Sequence, residues 1–150
     1  MEYQFNDFMK AVKPQDKEFV QSIHDTLVGD GYKTKIENKA TGMFIAYSHP
    51  RTKRAFANLF FRKSGLQARV YAEGHKSYLD FISKLSEEIE QRIAKQKTCD
   101  SCAPTCTKGY KFSIRGNDYC KCRYGCFHFE VTNATKPIIA NLIKLEKETR

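Results

Sequence analysis

The chain has 150 residues, 41% of them hydrophobic and 13% aromatic, and carries a formal net charge of +9. That is about one domain's worth of sequence with enough apolar side chains to bury a core, which excludes global disorder. No run approaches the ~20 apolar residues of a membrane span, and the few Gly and Pro exclude collagen-like and low-complexity classes. The N-terminal stretch MEYQFNDFMKAV carries two acids and no long apolar core, so it does not read as a secretory signal. The expectation is a cytoplasmic, basic protein with no membrane segment.

The first elements read as helices. Phe5, Phe8, Met9 and Val12 mark a short one. Pro14 suits the first turn of a second, running to Val28, with Phe19, Val20, Ile23, Leu27 and Val28 on one face. Gly29 and Gly31 stop it.

Strands follow. Lys33–Glu37 is short and polar, and Gly42–Ser48 is apolar up to the break at His49-Pro50-Arg51. Lys53–Lys63 and Leu66–Glu73 form a hairpin about Ser64-Gly65. Alternation gives this hairpin two faces. One carries Ala55, Ala57, Leu59, Phe61, Leu66, Ala68, Val70 and Ala72, and reads as core. The other mixes cations with aromatics: Arg54, Phe56, Asn58, Phe60, Arg62, Gln67, Arg69 and Tyr71. From Asn38 to Tyr71 there is no acid, against seven cations. Such a field suits a polyanion, nucleic acid first and an acidic protein surface second. Arg54, Phe56, Phe60, Arg62, Arg69 and Tyr71 are therefore the candidate nucleic-acid or partner-binding residues: cations for phosphates, rings for bases. The competing expectation is that the final helix or the zinc hairpin covers this face and makes Phe56 and Phe60 a second core layer.

A long helix is expected over Ser77–Lys95, capped by Ser77, with Tyr78, Phe81, Ile82, Leu85, Ile89 and Ile93 in one stripe. Residues 1–98 read as an α+β body. Residues 99–150 read as a cysteine-rich hairpin, with strands near Tyr110–Ile114 and Phe127–Val131, and a final helix over Lys136–Lys147 packed on the body. The fold class is thus α+β, an antiparallel sheet flanked by helices and completed by a zinc-type hairpin.

All six cysteines fall within 28 residues, spaced C-x2-C-x3-C and, thirteen residues on, C-x-C-x3-C. Without an export signal, clustered thiols point to metal rather than disulfides. A turn at Gly116-Asn117 would set Phe112 opposite Lys121 and bring Cys106 close to Cys126. The expected ligands are Cys102, Cys106, Cys122 and Cys126, with Cys99 and Cys120 as alternates. Four thiolates in a tetrahedron describe structural zinc, and an iron–sulfur cluster is the lesser possibility. His128, two residues past Cys126, reads as an exposed strand histidine before it reads as a spare ligand.

The four histidines fall in no catalytic spacing, and there is no P-loop, HExxH or dinucleotide glycine pattern. His24, beside Ile23, reads as structural, and His75 as a cap or a solvent contact. A closed four-thiolate zinc leaves no open position for water. No catalytic residue is named, and the chain reads as a binding protein. The alternatives are a thiol-dependent enzyme or redox sensor built on the cysteines, with Cys122 between Lys121 and Arg123 as its thiol, and a protein-binding adaptor.

The stretch Ala46-Tyr47-Ser48-His49-Pro50-Arg51-Thr52-Lys53-Arg54, then Ala57-Asn58-Leu59-Phe60-Phe61-Arg62-Lys63, resembles small uncharacterised bacterial proteins broadly similar to the YdhG/YjbR-like group. The tail Lys121-Cys122-Arg123-Tyr124-Gly125-Cys126-Phe127 resembles the cysteine-rich end of the same proteins. The resemblance implies a helix-flanked antiparallel sheet, no assigned activity, and DNA binding for some relatives. The group's simpler members lack the cysteine tail.

Overall fold

The computed structural model describes residues 2–96, 109–122 and 127–149. The fold is α+β. Helices α1 (Phe5–Ala11) and α2 (Pro14–Gly29) precede four strands, β1 (Lys33–Lys39), β2 (Gly42–Ser48), β3 (Ala55–Arg62) and β4 (Gly65–Val70). A 3-10 turn at His75–Tyr78 leads into α3 (Leu79–Ser83) and α4 (Glu87–Ala94). Then come β5 (Tyr110–Ile114), β6 (Asn117–Lys121), β7 (His128–Glu130) and α5 (Lys136–Thr149). No helix among the described residues is long and apolar enough to cross a membrane.

The main sheet runs β1-β2-β3-β4-β7, every neighbour antiparallel, and β5 and β6 make a separate two-stranded sheet. Thus β7, from the segment beyond residue 98, closes one edge of the main sheet. It is held beyond its own ladder by Val70 N–H donating to the Phe127 carbonyl and Val131 N–H to that of Leu66, each 2.9 Å. Ile45, Leu59, Ala68 and Phe129 line up across the four central and edge strands, and all are buried in one core with Val20 and Leu27 of α2 and Ile139 and Leu142 of α5. Phe8 of α1 meets Phe61 of β3, with ring centroids 5.2 Å apart. The expected core face of the hairpin is therefore the helix-covered face.

Three expectations change. The Ser77–Lys95 helix is broken into the 3-10 turn, α3 and α4. Ser86, rather than Ser77, is a true N-cap: its hydroxyl accepts from the Ile89 N–H at 3.3 Å, and Glu87, Glu88 and Glu90 follow in the first turn. A hydroxyl that takes an orphan N–H starts a new helix, while Leu85, Ile89 and Ile93 stay buried and keep the apolar stripe continuous across the break.

The β5–β6 turn sits one residue earlier than expected. Arg115 (φ 51°) and Gly116 (φ 84°) are both left-handed, the signature of a two-residue hairpin turn. The register pairs Ile114 with Asn117, so Phe112 faces Tyr119 and Lys121 faces Tyr110.

The third change is Phe56. The pairing of β2 with β3 shifts between Tyr47 and Ser48, with Tyr47 opposite Ala57 and Ser48 opposite Ala55. Phe56 is the extra residue of this bulge. It is fully buried, its ring 4.7 Å from that of Tyr32, and belongs to the main core instead of the outer face.

Candidate ligand-binding face

Register and alternation send two rows of side chains to the sheet face opposite the main core. One row is Phe44, Phe60, Gln67 and Glu130; the next is Ala46, Asn58, Arg69 and His128. The contacts agree with that placement. The Phe60 ring lies 5.8 Å from Phe44 and 5.2 Å from His128. The guanidiniums of Arg69 and Arg62 stand over the same ring, 5.0 Å and 5.4 Å from its centroid. Lys39 Nζ lies 3.9 Å from the centre of Phe44. Phe60 is buried, yet it stands apart from the helix-covered core.

Each member is held by a neighbour. Gln67 donates through Nε2 to the Ser64 hydroxyl at 3.0 Å, which turns its Oε1 toward His128 Nε2 at 3.1 Å. Burial first, then the charges of Arg69 and Arg62, push the His128 imidazole down to about 4. The ring is therefore neutral at pH 7, with Nε2–H donating to Gln67 and Nδ1 left as an acceptor. His128 is thus a buried member of the sheet face, not an exposed strand histidine. Asn58 donates to the Tyr71 hydroxyl at 3.0 Å.

Of the six candidate residues, Phe60, Arg62 and Arg69 come together on this face, with Tyr71 beside them through Asn58. Arg54 is exposed and held 3.4 Å from Glu73, and Phe56 is inside. Neither Arg62 nor Arg69 has a carboxylate partner among the described residues, and Arg69 Nε is buried without a hydrogen-bond acceptor. Phe44, Gln67 and His128 were not among the candidates. The signal for Phe44 was there, since it alternates with Ala46 on β2, whereas the pairing of β7 with β4 has no local signature.

The other histidines serve structure. His24 Nδ1 lies 2.8 Å from the Tyr47 hydroxyl, with the ring stacked 3.6 Å from Phe5. His49 Nδ1 accepts from the N–H groups of Arg51 and Thr52, organising the basic loop between β2 and β3. His75 is buried, neither a helix cap nor a solvent contact, and its Nδ1–H donates to the Ala72 carbonyl at 3.0 Å.

Of the cysteines, Cys120 lies on β6 opposite Lys111 and Cys122 just beyond it, both half-buried and free. Cys99, Cys102, Cys106 and Cys126 lie outside the described residues. Among the described residues no three potential ligands cluster. The flanks of the cysteine segment are firmly anchored: Lys121, itself buried, donates to the carbonyls of Ala94 and Gln96 at 2.8 Å and 3.0 Å. No family model, curated protein or solved structure matches the chain.

Proposed function

We propose that the chain is a binding protein that takes single-stranded or irregular nucleic acid on the outer face of β2, β3, β4 and β7. The observation that carries this reading is the convergence of Arg62 and Arg69, both free of carboxylates among the described residues, on the Phe60 ring. In this reading the arginines and Lys39 meet phosphates, and the half-buried rings of Phe44 and Tyr71 take bases. Phe60 is too covered to stack on a base and serves as the platform beneath the guanidiniums.

Fluorescence anisotropy with a labelled single-stranded oligonucleotide at low and high salt tests the reading. Binding that weakens with salt, with a shallower slope for Arg62→Ala, supports it. No binding by the wild-type protein at low salt, or capture of an acidic peptide in preference to the oligonucleotide, overturns it.

The same proposal assigns the cysteine segment a structural zinc held by Cys102, Cys106, Cys122 and Cys126. Its support is the paired C-x3-C spacing and the firm anchoring of Lys121 on one flank and Phe127 on another. Four thiolates would supply folding energy to residues 99–109, which carry no large apolar side chain of their own. Metal content of freshly purified protein decides it: about one zinc per chain supports the assignment, and metal-free protein with six reactive thiols overturns it.

A further inference from the structure

We propose that Arg62 and Arg69 together form a discrete site for one phosphate-class oxyanion, seated above the Phe60 ring. The site rests on the nucleic-acid reading for its natural ligand, a backbone or terminal phosphate, but not for its chemistry. The two guanidiniums come from neighbouring strands, and each stands over the Phe60 ring, at 5.4 Å and 5.0 Å from its centroid. A planar carboxylate satisfies one guanidinium fork, whereas a tetrahedral oxyanion has oxygens enough for both.

Three further features favour an anion here. Neither arginine has a carboxylate within ion-pair distance among the described residues, so their fields add. Arg69 Nε is a buried donor without an acceptor among the described residues, a costly state that a bound oxyanion relieves when the guanidinium turns toward it. The floor of the site is apolar, formed by Phe60 and flanked by Phe44, so charge–charge attraction above it is screened less than on an open polar surface.

The test follows the arginine side-chain N–H resonances by NMR while inorganic phosphate is titrated against chloride at constant ionic strength. The expected result is a saturable shift of the Arg69 Nε–H resonance with phosphate alone, about tenfold weaker in Arg62→Gln. Arg62 is exposed, so that variant keeps its fold and the comparison stays clean. No saturable shift, or identical titrations for the wild type and Arg62→Gln, overturns the site. A single-stranded oligonucleotide gives the second arm. Phosphate binding that depends on Arg62, without oligonucleotide binding, upholds the site and defeats the nucleic-acid reading. Oligonucleotide binding that neither phosphate nor Arg62→Gln weakens overturns the site and removes the arginine pair from the nucleic-acid reading, leaving that binding to other residues.

Discussion

The Nζ of Lys121, at the end of β6, donates to the carbonyl of Ala94, the last residue of α4, at 2.8 Å. A second bond from the same ammonium reaches Gln96. A helix ends with unpaired carbonyls and the negative pole of its dipole, and a lysine is well matched to both. A second tie joins the same elements at the other end of α4: Glu90 accepts from Asn117 at 2.8 Å and Tyr119 at 2.6 Å. The β5–β6 hairpin is thus fastened along the length of α4.

Lys121→Met should loosen this junction. It removes two charge-assisted bonds and leaves two helix-end carbonyls without them, a loss of about 1.5–3 kcal/mol. Urea unfolding reads it directly. A variant as stable as wild type would show that water satisfies these carbonyls equally well.

Phe56→Ala and Phe60→Ala should separate the two sides of the sheet. Phe56 fills the main core, so its truncation should cost about 3–5 kcal/mol. Phe60 lies under long cationic side chains that can settle into the gap, and its truncation should cost less while disordering Arg62 and Arg69. Thermal melts that rank the two variants in the opposite order would contradict this division.

Glu146 is fully buried on α5, and its Oε1 accepts from the Tyr78 hydroxyl and the Gly74 N–H, each at 2.7 Å. Tyr78→Phe keeps the ring and removes one donor from a buried carboxyl group. The expected cost is about 1–3 kcal/mol, read by chemical denaturation.

Acid should destabilise the fold in two stages. Burial lowers the pKa of His24 against an opposing pull from Asp25, and burial likewise dominates at His75. The unfolded chain therefore binds more protons than the native one, and stability falls as pH drops through about 6.5 and below. Glu90 is held below the usual carboxylate range by its bonds from Tyr119 and Asn117, so its contribution is present above about 4.5 and lost as pH falls further. Melting temperatures should hold from pH 8 to about pH 7 and decline from there to pH 4, and a flat profile between pH 7 and pH 5 would contradict the histidine stage.

The zinc assignment separates the cysteines. Cys122→Ser, Cys102→Ser, Cys106→Ser and Cys126→Ser should each lose metal, while Cys120→Ser and Cys99→Ser should retain it. Elemental analysis of the six variants checks this. Release by Cys99→Ser with retention by Cys126→Ser would mean that the C-x2-C pair carries the metal instead.

Local pattern alone determined where α2, β2 and α5 begin, because Pro14, Gly42 and the Lys136-Pro137 start are punctuation that acts within a few residues. It also determined the two-faced character of β3 and β4, since strand alternation follows from backbone geometry. Tertiary structure decided the rest. The bulge at Tyr47 and Ser48 carried Phe56 into the core, and only a partner strand can create a bulge. The break before α4 came from the Ser86 cap, which competes with an otherwise continuous apolar stripe. The β5–β6 register turned on a left-handed Arg115, which no propensity favours at that position. The candidate face is the clearest case: Gln67 and His128 are 61 positions apart in the chain, and only the pairing of β7 with β4 brings them into hydrogen-bond contact and sets the His128 ring 5.2 Å from Phe60. Long-range strand pairing is settled by burial of the whole sheet, and no window of sequence contains it.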